Sequence, residues 1–277
     1  MKQQKFMGGM RKPGLRDRAG AGAGVLLENF SGSPERPAAL SGSLYHPILQ
    51  DQVRYSSVVV PDEPDEQVRT TIGLMCQYAN EDAQCPGIQN EARRIWGACG
   101  GDEREMVWAV WKLVRGKIQF LRDEQTSQAI EAFTSRTYEG MDKPIIEVLV
   151  RPRDIDTLKP GRRIGDCDDY SMYGAALLLA LGIPCAFVTI AGDPRSPGQF
   201  THVYVAAYPK RSEGDPGAGR VRVAVDASHG PKCGWEATEV RPGARVREWP
   251  LNNPFSGDIG GVVLAGLIAA ALWVMCG

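Results

Sequence analysis

The chain has 277 residues, with 32 Lys and Arg against 33 Asp and Glu and 43% hydrophobic residues, enough for one large domain with extensions. So balanced a charge argues against nucleic-acid binding, which calls for a basic face. The seven cysteines, at 76, 85, 99, 167, 185, 233 and 276, contain no C-x-x-C pair; this argues against a zinc ribbon or a disulfide framework and for a reducing compartment, with Cys76 to Cys85 the one local bridge left open.

Residues 1–20 are basic, but no apolar run long enough for a secretory signal follows. Residues 1–50, rich in Gly, Ala, Ser, Pro and Arg, read as a disordered or extended arm. A domain is expected over 51–249. It opens with a strand at Tyr55–Val60, stopped by Pro61. Three helices follow: one from Asp65 with Val68, Ile72 and Met75 on a face, one over Pro86–Ala98 with Ile88, Ala92, Ile95 and Trp96, and one from Asp102. The last has Glu105 at capping-box spacing, an apolar stripe from Met106 to Val114, and Gly116 to end it. Their Trp and Met residues are expected in the core.

Ile118–Phe120 is strand-like, 124–133 reads as a polar helix, and Ile145–Val150 precedes a Pro/Arg-rich connector. Residues 167–181 are apolar nearly all round, which predicts a buried central helix, ended by Gly182-Ile183-Pro184. Cys185–Ile190 predicts a buried strand and Gly192–Gly198 a turn-rich loop. The runs 200–207 and 221–226 alternate as strands. Helices, then a central helix, then antiparallel strands predict an α+β fold.

After a linker at 250–258, residues 259–276 are 18 uncharged residues, a helix of about 27 Å, close to the hydrocarbon core of a bilayer. Gly261 and Ala265 have the small-xxx-small spacing of packed membrane helices. A membrane anchor and a buried tail are both open readings.

Cys167 opens the central helix, where the helix's positive end favours a thiolate; Asp168 and Asp169 oppose that. His202 and Asp226 lie on the two following strands. If Ala207 pairs with Val221, His202 falls directly opposite Asp226, within about 5 Å. Cys167, His202 and Asp226 then form a nucleophile, a base and an orienting carboxylate. His46 sits in the arm and His229 in a turn beside Gly230 and Pro231, read as surface. Cys167, His202, Asp226 and Cys233 include no close-spaced ligand pair, so no metal is expected, and no cofactor either.

The run Gly165-Asp166-Cys167-Asp168-Asp169-Tyr170, the helix ending in Gly182-Ile183-Pro184, His202 on the next strand but one and Asp226 beyond it resemble the transglutaminase-like superfamily of papain-fold cysteine enzymes. Trp235 is similar to the family's downstream aromatic, and Ile118–Asp123 to its Ile-x-Tyr-x-x-Asp, with Phe120 for Tyr. The layout is similar to bacteriophage-encoded members. The resemblance implies a papain-like core and acyl transfer through a thioester on a protein or peptide substrate, either hydrolysis or transfer to an amine. It implies Cys167 as nucleophile, His202 as base and then acid, Asp226 as its orienter, and the Cys167 N–H as an oxyanion donor, with Gln119 a candidate second donor. A structural or binding module of a virion or membrane assembly, its triad unused, is the alternative; a scaffold presenting the apolar tail is a third.

Overall fold

The computed structural model describes residues 40–46, 51–121, 145–211, 219–239 and 241–251. The arm up to residue 39, the expected polar helix near 124–133, the linker beyond Leu251 and the apolar segment 259–276 lie outside them. Among the described residues no helix is long and apolar enough to cross a membrane.

The three expected helices form, and their caps are written in the sequence. Helix α1 (Pro64–Asp82) starts where the Glu63 carboxylate accepts the Glu66 N–H at 2.7 Å. Helix α2 (Pro86–Cys99) has proline in its first turn and ends at Gly100, whose φ of 59° is the left-handed cap that glycine adopts without strain. Helix α3 (Glu103–Lys117) is capped by Asp102, which accepts from the N–H groups of Arg104 and Glu105 at 2.8 and 3.2 Å. The expected stop at Gly116 does not occur. Buried Ile118 ends α3 in extended geometry and carries the chain straight into a strand, so no left-handed residue is required.

Ile72, Met75, Ile88, Ala92, Met106 and Val110 are buried. Trp96 is not a core residue as expected: it is 48% exposed, as is Trp108. Ile88, Ala92 and Ile95 fill the stripe that α2 turns inward, and Trp96 falls past its edge.

Strand β3 (Gln119–Phe120) pairs in parallel with β5 (Ile164–Gly165), which sets Phe120 beside Gly165. A three-stranded sheet has the order β1 (Leu40–His46), β2 (Asp51–Val60), β4 (Ile145–Leu149). Strand β1 falls within the segment expected to be a disordered or extended arm and pairs along its whole length with β2. The Pro/Arg-rich connector contains a short helix, α4 (Pro152–Thr157). Arg151, just before it, binds the fully buried Asp82 of α1 through two nitrogens and stacks on Tyr78, so the end of β4 is tied to α1.

The central helix α5 (Cys167–Ala180) is buried from Asp169 to Leu179, hence the absence of a polar face. It packs against α1, α2, α3, β6 (Cys185–Ile190) and β7 (His202–Ala207). Leu177 and Leu178 are fully buried, each worth about 1.5–3 kcal/mol. The main sheet is antiparallel with the order β8 (Val223–Val225), β7, β6, β9 (Val246–Pro250). Leu251 is buried and donates its N–H to Cys185, so this sheet holds the chain to that point. The architecture is α+β, as expected. The six described cysteines are free thiols, Cys76 and Cys85 included, so the local bridge left open by the sequence is not made.

Candidate active site

Each residue around Cys167 has a structural task. Asp166 caps α5, its carboxylate accepting the Asp168 N–H at 3.0 Å. The Asp169 carboxylate returns to the Asp166 N–H at 3.3 Å and accepts the Val150 N–H at 2.9 Å, tying the helix start to the end of β4. Asp169 lies so close over Gly165 that a Cβ there would stand 2.6 Å from the Asp169 Cβ; only glycine fits. The Tyr170 hydroxyl donates to the Ile118 carbonyl. Cys167, the first residue of the helix, faces a cavity.

His202 begins β7, and its Nε2 lies 2.8 Å from Asp226 Oδ2. Asp226 follows β8 and its side chain is fully buried. Its other oxygen accepts the Ser228 hydroxyl at 3.0 Å and the His229 N–H at 2.9 Å. Burial alone would raise its carboxyl; the bonds from His202, His229 and Ser228 hold it below the ordinary value instead. The backbone is clamped too. Trp111 Nε1 on α3 donates to the Asp226 carbonyl at 2.9 Å, and Arg115 reaches the carbonyls of Ala227 and Gly230.

The hairpin register differs from the expected one. Val205 pairs with Val225 and Ala207 with Val223, not Val221. A slip of two residues keeps every side chain on its face, so His202 meets Asp226 diagonally instead of from directly opposite. The contact survives because the β7–β8 ladder covers three residue pairs and the chain turns at Asp226, where Gly230 N–H closes on its carbonyl at 3.1 Å.

With Nε2 donating to a carboxylate, neutral His202 carries its lone pair on Nδ1. Cys167 and His202 line a cavity of about 580 Å³ together with Phe120, His229 and Trp235. Both also line a second hollow of about 290 Å³ with Thr71 and Phe200. The N–H of Val203, the residue after His202, bonds the Cys167 sulfur.

At the helix start the opposing influences on the thiol are unequal. Burial, Asp168 and Asp166 push the Cys167 thiol well above its ordinary value, and only the Val203 N–H pulls the other way. The thiol approaches Asp168 Oδ1 at 3.5 Å. Burial, with two adjacent carboxylates, thus works against the helix end and favours the thiol form. Gln119 is exposed, whereas its neighbour Phe120 lines the cavity.

His229 was read as a surface residue, and it is exposed. Its ring nonetheless stands edge-on to His202 at 4.6 Å between centroids and to Phe120 at 5.0 Å, on the cavity wall. The spacing Asp226-x-x-His229 is the signal that would have found it. Among the described residues, His202, Asp226 and His229 bring one possible ligand atom each to within 4.8 Å of one another, as do Asp166, Cys167 and Asp168.

No protein-family model matches the chain, and no curated protein matches it. Solved structures do. One, named "putative cysteine protease", comes from Cytophaga hutchinsonii: 15% identity, TM-score 0.32, covering 73% of this chain and 61% of that one. Another, named "putative protease", comes from Parabacteroides distasonis: 14% identity, TM-score 0.33, covering 74% of this chain and 43% of that one. The chain thus spans about three fifths and two fifths of their lengths. Neither name mentions a bacteriophage, and the expected likeness to phage members has no support in them.

Proposed function

We propose that this chain is a papain-fold, transglutaminase-like cysteine enzyme that cleaves or transfers a protein or peptide amide through a thioester. The observation that carries the reading is the His202–Asp226 bond of 2.8 Å on the wall of the cavity that Cys167 also lines. In this mechanism the carbonyl of the substrate enters beside Cys167. The thiol gives its proton to His202 Nδ1 as sulfur attacks, and Asp226 stabilises the imidazolium through Nε2–H. The Cys167 N–H, at the first position of a helix and without an intrahelical acceptor, binds the oxyanion. His202 then protonates the leaving amine, and the thioester passes its acyl group to water or to an amine. The two hollows sharing Cys167 and His202 suit the two sides of the scissile bond.

One observation favours a second reading, a binding module with an unused triad: burial and the carboxylates beside Cys167 push its thiol well above the ordinary value. Alkylation with limiting iodoacetamide separates the two. The enzyme reading expects Cys167 to be labelled ahead of Cys76, Cys99 and Cys233, and Cys167→Ala to lose turnover of a peptide amide while stability stays within about 1–2 kcal/mol. Preferential labelling elsewhere, with no turnover, would leave the binding module. The anchoring role of 259–276 rests on sequence alone. Deleting 257–277 should remove a need for detergent and leave the catalytic constants unchanged; a destabilised domain would make the segment part of the core.

A further inference from the structure

His229 has no task in the acyl-transfer mechanism, yet its surroundings fix its chemistry. The Ser228 hydroxyl donates its one hydrogen to Asp226 Oδ1 at 3.0 Å. The 3.0 Å contact between Ser228 Oγ and His229 Nδ1 must then use the imidazole's hydrogen. Neutral His229 is thereby the Nδ1–H tautomer, and its coordinating electron pair is on Nε2. Asp226 thus orients two imidazoles, His202 directly and His229 through Ser228. The Ser228 oxygen behind His229 Nδ1 fixes that ring, as hydrogen-bond partners do around protein-bound metals.

We propose that His202, Asp226 and His229 form a binding site for a borderline divalent cation such as Zn²⁺ or Co²⁺. One ligand atom from each already lies within 4.8 Å of the other two. Two imidazoles and a carboxylate suit these ions, whereas Mg²⁺ and Ca²⁺ favour all-oxygen shells. The cation takes the place of the proton between His202 and Asp226. With metal–ligand bonds of about 2.0–2.2 Å, tetrahedral ligands stand about 3.3 Å apart, so the 2.8 Å His202–Asp226 contact opens slightly and His229 draws in. His229 can do so because it is exposed. The cavity of about 580 Å³ gives the ion a path from solvent and room for a water ligand. A cation bound there removes the base and its orienter from the triad, so a free divalent ion and its chelation would switch acyl transfer off and on.

The test is a Co²⁺ titration of the full chain followed by visible absorption, repeated in Cys167→Ala, His229→Gln and Ser228→Ala. One equivalent should bind with d–d bands and without a thiolate-to-cobalt charge-transfer band, in wild type and in Cys167→Ala alike. His229→Gln should weaken binding by about tenfold or more, and Ser228→Ala, which leaves all three ligands in place, by about tenfold. Circular dichroism checks that both variants are folded. No saturable single equivalent, a thiolate band, or unchanged affinity in His229→Gln would each overturn the site. Binding is read without turnover, so loss of the cation site leaves the acyl-transfer reading standing, and an inactive triad leaves the cation site standing.

Discussion

At the scale of single residues, the site is governed by where protons rest. Cys167 is held as a thiol by burial and by Asp168 and Asp166. Removing one of those charges in Asp168→Asn lowers the thiol pKa, and each unit of fall raises the thiolate fraction near neutrality about tenfold. Iodoacetamide should therefore alkylate Cys167 faster in the variant; an unchanged rate would mean that the Asp168 charge does not set the value. Asp226→Asn keeps the hydrogen-bond geometry but can hold His202 in the other tautomer, and turnover should fall by about 10⁴-fold, as in the serine-protease precedent. Equal activity in a steady-state assay would make the carboxylate structural. Cys167, His202 and Asp226 were legible because each sits in a strongly patterned segment, a helix start or an alternating strand. His229 was not, because a turn residue has no period, and its place on the cavity wall comes from Asp226 three positions earlier, whose carboxylate accepts its N–H at 2.9 Å.

At the scale of elements, local signals are legible in the sequence and long-range ones are not. Caps such as Asp102 and the prolines at the helix starts are written within a few residues, so α1, α2 and α3 begin within a residue of expectation. Helix α4, six residues long, is too short to show a helical period. Strand β1 is made by pairing with β2, a contact that Gly/Ser-rich composition does not announce. The β7–β8 register depends on a loop whose length does not fix it, yet the alternation made only even slips tolerable, and the slip observed is two. Gly165 shows how an element start serves the site. A methyl group there meets the Asp169 Cβ at 2.6 Å and its Oδ2 at 2.9 Å, displacing the carboxylate that holds Val150 and Asp166. Gly165→Ala should cost about 1–3 kcal/mol and lower turnover further than the stability loss explains, because Cys167 moves with the helix start. Denaturant melts beside steady-state rates check this; wild-type values for both would mean that Asp169 gives way freely.

At the scale of the whole molecule, the larger apolar cluster is built around α5 and a smaller one, with Val188, Ile190 and Tyr204, lies apart from it; the first was legible because a helix with no polar face must be enclosed. That body also contains thiols, which tie its stability to alkaline pH. Burial pushes Cys76 from its ordinary 9.0 up to about 12 and raises Cys185, which Cys76 neighbours, as well as Cys167. The sign follows from proton counts. Below about pH 8 the thiols are protonated in both states and contribute no slope. Above the ordinary thiol value the unfolded chain releases these protons and the folded chain keeps them, so the unfolded state binds fewer protons and stability falls as pH rises. Each such thiol contributes a slope of up to about 1.4 kcal/mol per pH unit until its folded pKa is reached. Denaturant midpoints measured from about pH 8 to pH 10, before lysine and tyrosine dominate, should drop steadily. In Cys76→Ala/Cys185→Ala the midpoint starts lower, because buried Cys185 and half-buried Cys76 are truncated, but its decline with pH should flatten. A double variant that loses stability with pH as steeply as wild type would show that these thiols titrate alike in both states, and that the core around α5 admits water.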